Sequence, residues 1–306
     1  MNNFNYTFLL SAAVIGTGYL FKVLGILTED HGKSLSKIII NVTLPALILT
    51  TISKIELDFS LAVAPVIGVL FALLVSGVSA VVFRSYGTAE KGVARMTSVG
   101  FNIGLFAYPI IEELFGTPGL STVAMLDFGN AFIVFGLCYL LGFMHSEKRG
   151  NTPLEAKHIL LLFLKSVPFM SYIIAVLINI SGFAIPGAVD DFLGIFAKAN
   201  TGMALIVLGL TLNFRFDKSH WGLIFKVIGL RYAAGLAAGL LLYVFLPYSA
   251  MYRTVILFGL LLPVAMSVIP YSVEFDLDVR ISSTIANFTM ILSFFFMWFF
   301  MSITAT

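Results

Sequence analysis

The chain has 306 residues, 59% of them hydrophobic and only 11% charged, with a formal net charge of +2 and a mean hydropathy of +1.01. A soluble domain carries roughly twice that share of charge, so a water-soluble globular protein is excluded and an all-α polytopic membrane protein is expected. The single cysteine, Cys138, rules out a disulfide within the chain and a cysteine metal cluster.

At roughly 20 residues per spanning helix the length accommodates about ten spans. They are expected at 6–27, 34–52, 60–83, 92–114, 120–144, 158–181, 190–212, 222–246, 252–272 and 282–303. The first run has no basic leader and no small-residue cleavage pattern, so it reads as a retained span. The longest connection is HSEKRGNTPLEAK, His145 to Lys157. Fifteen of the eighteen basic residues flank the odd-numbered connections, among them Lys148, Arg149, Arg215, Lys218 and Arg231. The even-numbered ones hold only Lys54 and Arg253, and Lys198 lies inside span seven. By the positive-inside rule the odd-numbered loops, including the central one, are cytoplasmic and both termini lie outside. That places the chain in the cell membrane as a multi-pass protein.

Ten spans divide at the midpoint into a first five-helix repeat over 1–144, a linker over 145–157 and a second repeat over 158–306. Five is odd, so equivalent helices run in opposite directions and the repeat is inverted. Asn41-Val-Thr-Leu in span two lines up with Asn200-Thr-Gly-Met in span seven, and the same offset brings Asp58 onto Asp217. An offset two residues larger brings Asn102, Pro109 and Glu113 of span four, within GFNIGLFAYPIIEELFG, onto Pro263, Pro270 and Glu274 of span nine, within GLLLPVAMSVIPYSVEF. There Asn102 and Pro109 are seven apart, as are Pro263 and Pro270, and Glu113 follows Pro109 by four, as Glu274 follows Pro270. Proline and glycine interrupt a helix. Paired interruptions in corresponding spans of two halves point to a transporter binding site.

Several polar residues inside these spans can carry chemistry. Asn102 either hydrogen-bonds a neighbouring helix as glue or donates to a substrate at the break, beside the positive end of a half-helix suited to a carboxylate. Ser267 and Tyr271 are the polar candidates on the span-nine side, with Pro263 and Pro270 making the break. In span two, NVTLPALIL, Asn41 and Pro45 either touch substrate or mark a packing kink. Asp127, with Asn130 one turn on, either binds a coupling proton or sodium ion or pairs with a cation such as Arg95 or Lys198. Lys198 either snorkels or supplies charge to an anion. Gly235 and Gly239 form a GxxxG pair expected to pack tightly. The histidines, His31, His145, His158 and His220, lack ligand spacing, so no metal is expected. No Walker A loop or HExxH motif is present, and only Asp127 lies well inside a span, against the two aspartates of an intramembrane protease. The basic central loop reads as a topology signal, not a nucleic-acid patch.

SLSKIIINVTLPALILTTIS, GFNIGLFAYPIIEELFG, AMLDFGN and LLPVAMSVIPYSVEFDLD together resemble the auxin efflux carrier family, which includes plant auxin exporters and bacterial permeases for malate or malonate. The resemblance runs from about residue 34 to the end of the chain. Thr201–Gly202–Met203 and Met266–Ser267 depart from the family pattern, where a proline and an asparagine are common. The resemblance implies crossing broken helices four and nine and a scaffold of spans one, two, six and seven, often dimeric. It also implies an elevator-type transport domain of spans three to five and eight to ten, with substrate near Asn102, Pro109, Pro263 and Pro270. The expectation is a secondary transporter of a small organic anion, a carboxylate such as malate, malonate or an auxin-like acid. It requires no cofactor beyond a coupling proton or sodium ion. A cation-coupled carrier or sodium/proton antiporter is the alternative, and a membrane-embedded enzyme or sensor the weaker one.

Overall fold

A computed structural model of the chain describes residues 3–55, 59–146, 155–213 and 220–304, and among these every regular element is a helix. Asp58, Lys148, Arg149, Arg215, Asp217 and Lys218 fall outside the described residues. In chain order the helices are α1 (Asn3–Val23), α2 (Glu29–Ile52), α3 (Phe59–Val82) and α4 (Thr88–Ser98), then α5 (103–115) and α6 (117–144). They continue as α7 (Ala156–Lys165), α8 (Val167–Ser181), α9 (Gly187–Thr211), α10 (Trp221–Phe245), α11 (Ala250–Leu260), α12 (Val268–Glu274) and α13 (Val279–Thr304). Among the described residues seven helical runs are long and apolar enough to cross a membrane, or eight if α7 and α8 count as one span.

The division between α5 and α6 follows from length. Residues 103–144 form one apolar run of 42 residues, which as a single rod would measure about 63 Å, twice the hydrocarbon thickness of a bilayer. Gly116 turns the chain back with φ 59 and ψ −153, a region that side chains avoid. The outer surface is as apolar as the core. Leu9, Leu70, Ile180, Ile195 and Phe245 are all more than half exposed, as expected where the solvent is lipid. Buried hydroxyls bond back to their own helices, as Thr97 does to the Val93 carbonyl (2.7 Å) and Thr289 to Ile285 (2.8 Å). Such back-bonding leaves no donor unmet in an apolar core.

Two elements differ from the sequence expectation. Span six, expected as one run over 158–181, is bent by 73° at Ser166. Ser166 is extended and its hydroxyl accepts from the Phe169 amide, and Pro168 occupies the first turn of α8, where its missing N–H costs nothing. Arg231, expected on a cytoplasmic flank, is only 5% exposed and points into the protein. In α2, by contrast, Pro45 does not break the helix. A π turn over Ile39–Thr43 widens the backbone ahead of it, and the helix runs on to Ile52.

Close backbone approach sets the seam between α1 and α9. A Cβ built on Gly209 would fall on the Ile15 carbonyl oxygen and the Tyr19 nitrogen, and one on Gly18 would fall on the Ile206 carbonyl. Gly235 and Gly239 of α10 likewise sit against Leu260 and Leu257 of α11. Small residues allow such contact where no hydrophobic effect drives helices together. Gly209→Val therefore forces α1 away from α9 and is expected to cost about 3 kcal/mol, read as a lower midpoint in thermal unfolding of the detergent-solubilised protein. An unchanged midpoint contradicts the contact.

Candidate functional site

Two helices stop in the protein interior and restart after a few residues. α4 ends at Ser98, Val99 is extended, Gly100 takes φ +76, and α5 begins at Ile103 after Asn102 at φ −86, ψ 80. α11 ends at Leu260 and α12 begins at Val268. Gly100 meets two demands at once, because a Cβ there would also crowd Cys138 Sγ at 2.9 Å. The two breaks touch directly: the Asn102 amide donates to the Pro263 carbonyl at 2.9 Å.

Backbone groups freed in an apolar interior must find partners within the protein, and most of these do. Asn130 of α6 serves Phe101 twice, accepting its amide at Oδ1 (2.9 Å) and donating from Nδ2 to its carbonyl (2.9 Å). The Val264 amide donates to Thr289 Oγ1 (3.2 Å), and Ser293 Oγ donates to the Leu261 carbonyl (2.6 Å). Arg231 of α10 donates from Nη1 to the carbonyls of Thr97 (3.1 Å) and Ser98 (2.8 Å). From Nη2 it donates to those of Gly100 and Leu262 (both 3.1 Å).

Asn102 brings a side-chain group that is left without a partner. Its side chain is 5% exposed, makes no cap hydrogen bond to α5, and its Nδ2 has no partner. It lines a cavity of about 230 Å³ together with Gly104, Asp127, Asn130, Ser267 and Tyr172. The first N–H groups of α5 start at this wall, and a helix's first turn has no acceptor within the helix. Asp127 accepts from the Tyr172 hydroxyl at 2.7 Å and from Asn130 Nδ2 at 3.1 Å. The Tyr172 hydroxyl also bonds that of Tyr108. Tyr172 comes from α8 and Asp127 from α6, so this carboxylate bridges elements from the two halves of the chain. A larger hollow of about 830 Å³ lies near Lys54, Thr117 and Tyr248, but none of the buried unpartnered atoms lines it. Volume alone does not mark the site.

Of the residues singled out from sequence, Asn102, Asp127, Asn130 and Ser267 meet in this cavity, and Pro263 contributes the carbonyl that joins the breaks. The others lie elsewhere. Asn41 is exposed and donates to the Lys37 carbonyl. Pro45 is buried inside α2, and Pro109 is buried in the first turns of the helix after the break. Pro270 is exposed, and Tyr271 packs edge-on against Tyr139. Lys198 is on the exposed side of α9 near Phe192 and Ile195, away from the cavity. In place of Asn41, its neighbour Thr43 donates to Asn200 at 2.9 Å. Sequence reasoning missed Tyr108, Tyr172 and Arg231. Arg231 had a readable signal: it lies ten residues into an apolar helix, about 15 Å along the axis, too deep for a flank.

A sequence profile described as "Membrane transport protein" matches residues 6–301. The chain belongs to this family, the auxin efflux carriers. An uncharacterized transporter of Methanothermobacter thermautotrophicus is 30% identical to this auxin efflux carrier family member over 283 residues, 90% of each chain. An uncharacterized transporter of Methanocaldococcus jannaschii is 25% identical over 285 residues, 89% of this chain and 90% of its own. The Escherichia coli K12 transporter YfdV is 24% identical over 194 residues, 60% of this chain and 61% of its own. The protein is thus an integral membrane transporter and not an enzyme.

The two asparagines at the breaks make opposite uses of the same group. Asn130→Ala strands both polar groups of Phe101 and is expected to cost about 3 kcal/mol, seen as a clear drop in the thermal midpoint. Asn102→Ala removes an amide nitrogen that has no protein partner, so its midpoint is expected within about 0.5 kcal/mol of wild type.

Proposed function

We propose that this family member is a secondary transporter of a small organic anion, a carboxylate, working by alternating access. The observation that carries the reading is the buried side-chain nitrogen of Asn102, Nδ2, unpartnered in a cavity at the uncapped start of α5. Its N–H₂ group and the first α5 amides together present donors and a positive dipole end to an anion without a buried lysine. Asp127, in the same cavity, takes the coupling cation, a proton or a sodium ion. Its hydrogen bond to Tyr172 links that event to α8.

The helices group into ten spans when α4 with α5, α7 with α8, and α11 with α12 are each taken as one. Spans four and nine are then broken helices that cross at Asn102 and Pro263, within an inverted five-plus-five repeat over 1–144 and 158–306. Spans one, two, six and seven form the scaffold, as a homodimer, and spans three to five and eight to ten move in elevator fashion. The basic odd-numbered connections put the 145–157 linker in the cytoplasm and both termini outside. A second reading, a cation-coupled carrier or sodium/proton antiporter, draws on Asp127, an ionisable group at the centre of the cavity.

The test is current in liposomes holding the purified protein, against malate, malonate, lactate and indole-acetate, with and without proton and sodium gradients. One carboxylate is expected to give a saturable current, with Asn102→Ala raising its half-saturating concentration about tenfold or more. Asp127→Asn is expected to erase the response to the coupling gradient. Silence for every carboxylate, with a response to a sodium or pH step alone, supports the second reading instead.

A further inference from the structure

Arg231 belongs to neither broken helix, yet it is the group that both breaks share. Nη1 holds the last carbonyls of α4, at Thr97 and Ser98. Nη2 reaches Gly100 in the first break and Leu262 in the second. The guanidinium lies over the Phe101 ring, 5.3 Å from its centroid. The side chain is 5% exposed and Nε has no partner. Among the described residues no carboxylate comes within ion-pair distance. An intramembrane cation without an anionic partner is expensive and functional by default. Its counter-charge here is the negative end of the α4 dipole and the four carbonyl oxygens it binds.

We propose, building on the anion-transport reading, that Arg231 is a positioning residue that ties the two breaks into one rigid cradle. Residues just C-terminal to its contacts form the cavity wall: Phe101, Asn102 and Gly104 beyond Gly100, and Ala265 and Ser267 beyond Leu262. Fixing Gly100 against Leu262 holds the Asn102 amide on the Pro263 carbonyl, so the donors around the anion keep their spacing when the domain moves. Occupying the carbonyls also removes negative potential beside an anion site. Only the planar fork of arginine spans both chain segments; a lysine nitrogen is a point charge and cannot hold them together.

The sole cysteine provides a readout that needs no substrate. Cys138 Sγ sits 3.6 Å from the Val99 carbonyl, against the first break, and is buried. Wild type, Arg231→Lys and Arg231→Gln are compared as full chains in lipid. Alkylation of Cys138 by N-ethylmaleimide is followed by mass spectrometry, and the half-saturating carboxylate concentration is measured in liposomes. Both variants are expected to alkylate at least tenfold faster and to need at least tenfold more substrate, with the maximal rate within threefold of wild type. Wild-type values in either variant, full rescue by lysine, or a loss of maximal rate alone overturns the proposal. If neither variant elutes as folded protein, hydrogen exchange in the wild type decides. Asn102 and Val264 amides as slow as the α5 interior support the tie, and amides as fast as open connections refute it. A wild type silent to every carboxylate removes the transport reading and leaves the alkylation rates to judge Arg231.

Discussion

Lipid offers no hydrogen bonds, and that constraint governs the centre of this protein. A helix that stops in an apolar interior releases N–H and C=O groups costing several kcal/mol each if left bare. Here the interior stops of α4 and α11 face one another, joined at Asn102 and Pro263, and three further helices supply the remaining partners. Asn130 comes from α6, Arg231 from α10, and Thr289 and Ser293 from α13. The packing of α6, α10 and α13 around the breaks brings those side chains there. Two buried side-chain amide nitrogens are left over, at Asn102 and Asn200, and that of Asn102 lies at the breaks and lines the cavity.

The cavity gains its character from the same arrangement. The carbonyl end of α4 and the Leu262 carbonyl beyond α11 are occupied by a cation, whereas the amide end of α5 faces the cavity. A single site therefore presents donors on one side and, at Asp127, an acceptor already engaged by Tyr172 and Asn130. Asn102 and the carboxylate of Asp127 line the same cavity.

Much of this was legible in the sequence, for a physical reason. Glycine, proline and asparagine in the middle of an apolar run have few structural uses, so GFNIGLFAYP and LLPVAMSVIP pointed at the breaks, and Asn102, Asp127 and Asn130 at the cavity. What stayed hidden depends on which side chains meet across the fold. Asn41 and Thr43 are two residues apart, and only the helix phase decides that Thr43 faces Asn200 while Asn41 faces outward. Tyr172 looks like any membrane tyrosine until α8 is laid against α6. Arg231 was misread because charge counting by loop ignores depth, and for Lys198 both readings stayed open because a span position says nothing about which face a residue occupies. The bend at Ser166 needed the geometry of a serine cap and Pro168 together, and neither alone breaks an apolar run.

The tie through Arg231 also sets an order on how the chain can be made. Gly100 and its partner are 131 residues apart, and at a synthesis rate of 5–20 residues per second the arginine emerges on the order of ten seconds after the glycine. Throughout that interval the carbonyls of Thr97, Ser98 and Gly100 lack the arginine that holds them, and the second break does not yet exist. The α4–α5 segment therefore cannot settle in hydrocarbon in its final form. It must wait at a wet or protein-lined site in the insertion machinery until the second half of the chain arrives to close it.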